Sequence, residues 1–265
     1  MQLADLADHD LGTHEVMFTA DDAILYALAV GAGSADLDLI HEQELRVLPT
    51  YGCALGLWAV EAAGELGAYD RTRSLHVGQT LRVNKALSPG RVTMNGRVGQ
   101  VFDKERLTIV EILVSSECFD AGYTILLPGV GGWGGEPPAP SERAAPLEPT
   151  WTTSVPVGAT AAALYRLTGD KHPVHIEDAV ARSMGLDGVI LHGLATMGMA
   201  ARCAAGAVAA HPCDLASADI RLANPVYPGC ELDVAVEPDG ASTRCEASVD
   251  GVVALGGTLN YSAPV

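Results

Sequence analysis

Two side chains that can move protons, Asp170 and His175, lie five residues apart in the segment GDKHPVHIEDA. Gly169 and Pro173 belong to the same segment and cannot continue a helix smoothly, so we expect both side chains to lie on a loop. A carboxylate with an ordinary pKa of about 3.9 is ionised near neutral pH, whereas an imidazole with a pKa of about 6.5 titrates there. Together the two groups could divide acid and base work and activate one water molecule.

The backbone N–H of Gly193 is a further candidate, at the front of the small-residue stretch VILHGLATMGMAARCAAG. This stretch is apolar on nearly all sides, which predicts a buried helix. The free N–H groups at the start of such a helix form an anion site, and they could stabilise negative charge that develops on a carbonyl oxygen. The three groups therefore suit proton transfer beside a carbonyl or a thioester.

Other interpretations of these residues remain open from spacing alone. An Asp and a His in one loop are equally typical of a capping carboxylate and a hydrogen-bonded surface histidine. Asp170, His172 and His175 could also form a metal cluster, but no fourth ligand is evident and the spacing matches no zinc pattern, so we expect no metal. His192 fits a structural hydrogen-bonding residue at a helix start better than a general acid.

The elements that would hold these groups follow from the patterns along the chain. Residues 19–31 predict a helix with Thr19 as its N-cap, and residues 48–64 predict a buried helix of small residues. Residues 75–127 alternate or run apolar in short pieces between turns, which is typical of an antiparallel sheet. After a Gly- and Pro-rich stretch, the same order of helix, loop, helix and strands returns.

A single offset relates the two halves of the chain. Leu25 matches Leu164 and Arg82 matches Arg221, each pair 139 residues apart (164 − 25 and 221 − 82). We therefore infer a duplicated helix-plus-sheet unit of which only the second copy carries the Asp/His pair. The predicted parts are a non-catalytic half at residues 1–130, a linker at 131–156 and a catalytic half at 157–265.

Composition limits the partners that we expect. The formal net charge of −17 argues against nucleic acid or an anionic membrane as a partner, since either would need a basic face. Six scattered cysteines without a C-x-x-C pair, and a start that lacks the features of a signal peptide, predict reduced thiols in a cytoplasmic protein. The apolar runs are too short to span a membrane. Candidates for a local phosphate-binding patch are Arg82, Lys85, Lys171 and Arg221.

These motifs resemble those of a known family. GDKHPVH followed by ILHG is similar to the signature of the MaoC-like, type-2 enoyl-CoA hydratases, G-D-x-N-P-x-H and then I-L-H-G. The first half carries LIHEQELRVLPTYG, VFDKE and GVGGWGG in the family's order, so the resemblance runs from about Phe18 to Tyr261. It implies an α+β double hotdog fold, in which each half wraps a curled antiparallel sheet around a long buried helix.

The resemblance also implies an activity, the reversible addition of water to trans-2-enoyl-CoA to give (R)-3-hydroxyacyl-CoA. Asp170 and His175 would activate the water, and the Gly193 N–H would bind the thioester oxygen. No metal or redox cofactor is implied; the substrate is a CoA or acyl-carrier thioester, and the expected assembly is a homodimer. The first half is expected to open space for a long or bulky acyl chain. Four further residues are expected at the substrate site: Glu42, Lys171, His172 and His192.

The sequence departs from the family pattern at two places. His172 stands where the family has Asn, and His76-Val77-Gly78-Gln79 replaces H-G-E-Q. A titratable ring near the catalytic water could change the pH profile or weaken activity. Two alternatives therefore stay open: a hotdog thioesterase that releases free CoA, and an acyl-CoA-binding subunit with little turnover.

Overall fold

The fold is one antiparallel sheet with helices packed against it. The structure, a computed structural model, describes residues 1–139, 145–240 and 242–262; residues 140–144 of the predicted linker lie outside the described residues. The strands are β1 (Asp10–Phe18), β2 (Leu75–Val83), β3 (Gly90–Lys104), β4 (Leu107–Ser116), β5 (Phe119–Pro128), β6 (Trp151–Pro156), β7 (Leu215–Leu222), β8 (Glu231–Asp239), β9 (Ser242–Val249) and β10 (Val252–Tyr261). The α-helices are α1 (Ala20–Ala29), α2 (Leu37–Ile40), α3 (Tyr51–Leu55), α4 (Trp58–Glu65), α5 (Ala161–Tyr165), α6 (Asp178–Ser183) and α7 (Gly193–Ala207).

The sheet has the mirrored strand order that a duplication predicts. The order is β1-β3-β4-β5-β2-β7-β10-β9-β8-β6, so the two halves meet where β2 pairs with β7. Read outward from this junction, each half repeats the same sequence of strands. The α+β double hotdog prediction is confirmed, and the two halves share one continuous sheet.

The end of the stretch predicted as a linker forms a strand. Trp151–Pro156 is β6, and it pairs antiparallel with β8 along the outer edge of the second half. It lies about one repeat offset after β1, which pairs with β3 at the opposite edge. Six residues assigned to the linker therefore belong to the second half of the sheet, because a Pro-rich sequence obscures the alternation of an edge strand.

Helix α1 begins where the sequence predicts. The Thr19 side chain accepts a hydrogen bond from Asp22 N at 3.2 Å, and the Asp22 carboxylate accepts one from Thr19 N at 2.8 Å. This reciprocal pair is a capping box, which satisfies two N–H groups that the first turn leaves free. The predicted N-cap is confirmed.

The buried helix expected at residues 48–64 is wrong as one element. It is divided into α3 and α4 by the segment Gly56-Leu57. A Cβ on Gly56 would collide with the hydroxyl of Tyr123, which donates to the Cys53 carbonyl oxygen at 2.7 Å. In the second half α7 runs unbroken for 15 residues, ten of which are buried, as predicted. The two copies of the central helix therefore differ in continuity.

The Gly-rich loop GVGGWGG is folded around one carboxylate. Asp103 accepts hydrogen bonds from Gly132 N at 2.7 Å and Gly134 N at 2.8 Å, with Gly135 N at 3.3 Å. Burial alone would raise the pKa of the Asp103 carboxyl, but these N–H groups together hold its pKa below the usual range. The loop is therefore a structural turn organised by the Asp103 carboxylate.

Asp103→Asn is expected to lower the Tm at pH 7, because an amide turns a donor toward backbone N–H groups that need acceptors. A carboxyl whose pKa is lowered on folding contributes stability above its unfolded pKa, and this contribution is lost as pH falls through the folded pKa. The difference in Tm from the parent protein should therefore narrow as the pH is lowered from 7 to about 3, below the ordinary carboxyl pKa of about 3.9. Thermal unfolding of Asp239→Asn, an exposed carboxylate on β8, is the control. An equal Tm difference at both pH values would contradict this account.

Two further expectations concern cysteines and membranes. All six cysteines are free thiols. No helix among the described residues is both long enough and apolar enough to cross a membrane.

Candidate active site

The loop between α5 and α6 fixes its own shape through short-range hydrogen bonds. Gly169 adopts a φ of 140°, which a side chain would strain. Asp170 Oδ1 then accepts from His172 N at 3.0 Å, and His172 Nδ1 accepts from Val174 N at 3.3 Å. The His172 ring thus caps the short 3-10 helix Pro173–His175, which is the work that an asparagine side-chain oxygen can do. His172 therefore caps this helix in the place where the family pattern has Asn.

The His175 ring is held in one tautomer. Its Nδ1 lies 2.9 Å from the Ile190 carbonyl oxygen, and because a carbonyl can only accept, we assign the proton to Nδ1. The lone pair on Nε2 then faces Asp170 Oδ2, 3.9 Å away. Both facing atoms are acceptors. One water donating two hydrogen bonds of about 2.8 Å each can span this separation.

His192 packs directly on the catalytic candidate His175. The two rings stack with centroids 3.5 Å apart and planes 22° apart. His192 Nε2 lies 3.3 Å from the Asp170 backbone oxygen and 4.0 Å from its Oδ2, so Nε2 carries the proton. Its Nδ1 is buried and has no hydrogen-bond partner among the described residues. His192 thus contacts both His175 and Asp170, in keeping with the structural role expected from sequence.

The two stacked imidazoles are held neutral. Burial lowers the pKa of His175, and the charge of Asp170 opposes this only in part. Burial and the neighbouring His175 ring lower the pKa of His192 well below its usual range. A neutral His175 keeps a basic Nε2 at pH values where an exposed imidazole would already be protonated.

Gly193 opens α7 beside these rings. The described hydrogen bonds include none donated by its N–H, as expected at the first residue of a helix. A Cβ on Gly193 would lie 2.5 Å from Leu222 Cδ1. The absence of a side chain lets β7 approach closely while the N–H at the positive end of the helix dipole stays available to an oxygen atom.

Three residues near the site were assigned no role from the sequence. The Tyr165 ring lies 4.7 Å from the His192 ring. The charge of Arg166 acts on His175 and His192 beside the larger effect of burial, and its Nε is buried without a hydrogen-bond partner in the described parts of the chain. His76 of the first half donates from Nε2 to the Gly78 oxygen at 2.9 Å, and the charge of Asp170 acts on its ring. Tyr165 and Arg166 directly precede the LTGD segment, which was the signal available.

The other predicted substrate residues are exposed, and the described ion pairs include none between them and this group. Lys171 is exposed on the loop, and Glu42 is exposed in the turn after α2. Among the candidate phosphate ligands, Lys85 pairs with Glu117 at 2.7 Å. Arg82 and Arg221 are exposed on the two strands that join the halves. The structure thus brings together Asp170, His175, His192 and Gly193 but does not bring the cationic candidates to them.

The same groups are the ones that could hold a metal ion. One ligand atom each from Asp170, His175 and His192 lies within 4.8 Å of the others, so His192 takes the place that the sequence analysis gave to His172. Two imidazoles and a carboxylate are ligand types that zinc accepts. The proton on His192 Nε2 is donated to the Asp170 carbonyl, so ligation would require the other tautomer of that ring.

Two protein-family models match the sequence of this chain. The MaoC like domain matches residues 142–258, and the MFE-2 hydratase 2 N-terminal domain matches residues 17–127. The chain is 32% identical over 278 residues to 3-hydroxyacyl-thioester dehydratase Y of Mycobacterium tuberculosis, an alignment that covers 93% of each protein. It is 30% identical over 244 residues to peroxisomal multifunctional enzyme type 2 of Drosophila melanogaster, covering 82% of this chain and 40% of that enzyme.

A solved structure supports the fold. A MaoC-like dehydratase from Phytophthora capsici superposes with a TM-score of 0.86 over 97% of this chain and 96% of that one, at 22% sequence identity. At this identity the likeness shows the fold alone. Together with the aligned relatives, it shows that this chain belongs to the MaoC-like dehydratase family, with an MFE-2 hydratase 2 N-terminal domain as its first half.

Proposed function

We propose that the chain is a hydro-lyase that reversibly adds water to trans-2-enoyl-CoA to give (R)-3-hydroxyacyl-CoA. Relatives named 3-hydroxyacyl-thioester dehydratase and enoyl-CoA hydratase support this reaction. The observation that carries the proposal is the 3.9 Å gap between His175 Nε2 and Asp170 Oδ2, two acceptors that one water molecule can bridge. Such a water has its lone pair free to attack C3 of the substrate.

The proposed reaction adds the hydroxyl group of one water molecule to C3 and a proton to C2. His175 Nε2 takes a proton from the water while the oxygen bonds to C3, and the C2=C3 electrons move toward the thioester carbonyl. The Gly193 N–H donates to the enolate-like oxygen that results, where one such donor is typically worth about 3–4 kcal/mol. The proton then passes to C2, which completes the addition of one water molecule. Asp170 orients the water and offsets the positive charge on the imidazolium.

Each step uses groups of the chain, so we propose that no metal or redox cofactor takes part. We also propose a homodimer, as the family resemblance implies, and a cytoplasmic location, in keeping with six free thiols. Lys171 and Glu42, both exposed, are assigned to the outer part of the substrate, away from the reacting atoms.

Purified protein is expected to hydrate trans-2-enoyl-CoA, and chiral analysis is expected to give the (R)-3-hydroxyacyl product. Treatment with a chelator should leave the rate unchanged. Parallel assays with acyl-carrier-protein thioesters show whether the chain prefers CoA or the carrier protein as the thioester group. A thiol reagent detects any free CoA that is released. Release of CoA without loss of the double bond would replace this proposal with a thioesterase. Binding of enoyl-CoA without either reaction would indicate a binding subunit instead.

A further inference from the structure

A pocket of about 180 Å³ adjoins the catalytic loop, on the side of the first half. Its walls come from β1, from the break between α3 and α4, and from Thr168 and Gly169. Gly169 directly precedes Asp170, and its Cα faces the Ala54 carbonyl oxygen, 3.9 Å from the point where a Cβ would stand. The pocket therefore begins beside the residue that is assigned to the water. An acyl tail extending from C3 would pass Gly169 to enter it.

The side chain of Trp58, the first residue of α4, forms one wall of this pocket. Its indole stacks on the His14 ring of β1, with centroids 5.0 Å apart and planes 23° apart. Its outer edge rests on Gly96 of β3, where a Cβ would lie only 2.7 Å from Trp58 Cη2. The ring is held on its face and on its edge, so it forms a fixed wall rather than a movable gate.

The volume of the pocket limits what it can hold. A water molecule takes about 30 Å³ of liquid, and a methylene group is of similar size, so the pocket holds a tail of about six carbons. Glu61, one turn after Trp58, also lines the pocket and is exposed. A longer tail would have to pass this carboxylate, and removing a charge from water is costly.

We propose that the chain acts on short-chain and medium-chain trans-2-enoyl thioesters, and that Trp58 sets the upper limit of acyl length. This inference rests on the proposed hydratase function and names its substrate class. It reverses the expectation from the family resemblance that the first half opens space for a long or bulky chain. The break between α3 and α4 opens a pocket, and the first residue after the break closes it.

The test is a series of enoyl-CoA substrates with four to sixteen acyl carbons. For the parent protein, kcat/KM is expected to fall at least tenfold beyond about ten carbons, given the size of the pocket. Trp58→Ala should raise kcat/KM for twelve carbons at least tenfold relative to four carbons. Trp58→Phe keeps most of the aromatic ring, so the acyl length above which kcat/KM falls should lie between those of the parent protein and Trp58→Ala. This variant still tests the role of Trp58 if the alanine variant does not fold.

A second measurement separates this inference from the hydratase proposal. Binding of saturated acyl-CoA of the same lengths to Asp170→Asn, with and without Trp58→Ala, reports the pocket without turnover. Absence of hydration at every length would overturn the hydratase function, and the binding series would still decide the role of Trp58. Equal rates or equal affinities for six and sixteen carbons in the parent chain would overturn the inference.

Discussion

Asp170→Asn is expected to lower kcat for hydration by about three orders of magnitude, within the range of about 10²–10⁴ found for positioned acid–base groups. The amide keeps the size of the carboxylate but lacks its negative charge. With its single oxygen bonded to His172 N, the amide presents an N–H donor to the water in place of the acceptor Oδ2. It also cannot offset the positive charge that forms on His175. The rate of loss of the enoyl double bond is the measurement.

The variant is designed so that folding is preserved. The remaining carbonyl oxygen can still accept from His172 N, which holds the loop. Its Tm and its affinity for a saturated acyl-CoA should stay close to those of the parent protein. Asp178→Asn, which removes an exposed carboxylate paired with Arg182 on α6, is the matched control and should retain the parent rate. Retention of most activity in Asp170→Asn would remove that residue from the mechanism.

His175→Asn is expected to lower kcat about 10²–10⁴-fold, because it removes the basic nitrogen while keeping a donor. The asparagine Nδ2 occupies nearly the same place as His175 Nδ1, so it can still donate to the Ile190 carbonyl oxygen. The structural hydrogen bond is thereby separated from the chemical role. Kinetics of the Asn variant and of His175→Gln, which restores a polar atom near Nε2 but no base, provide the comparison.

The pH profile gives an independent test of His175. Its pKa is lowered by burial, and only the neutral ring can accept a proton. Activity should therefore persist as pH falls through the ordinary imidazole value of about 6.5 and decline only below it. The residual activity of His175→Asn should lack this acid limb. An acid limb above the ordinary value in the parent protein would contradict the assignment of a buried neutral base.

The features that local sequence could predict are those that local chemistry determines. Asp170, His175 and Gly193 were found because a Gly/Pro-containing loop and an apolar helix start are encoded by adjacent residues. The helix cap at Thr19 is of the same kind. The duplicated sheet followed from a constant offset between two halves. The roles of the site residues remain predictions that the variants above test.

Sequence patterns could not predict the features that depend on contacts between residues far apart in the chain. The division of one expected helix into α3 and α4 depends on the Tyr123 hydroxyl, 67 positions beyond Gly56 (123 − 56) in the sequence. The stacking of His192 on His175 joins a helix start to a loop across 17 positions (192 − 175).

The junction of β2 with β7 has a consequence for how the protein folds. Either half made alone would leave one of these strands with unpaired N–H and C=O groups along its length, and such an edge recruits other chains. Joining the halves hides both edges at once. We therefore expect the two halves to unfold together in one cooperative transition, and separately produced halves to aggregate unless they are mixed and complement each other. After the duplication, each copy therefore depends on the other to pair its edge strand.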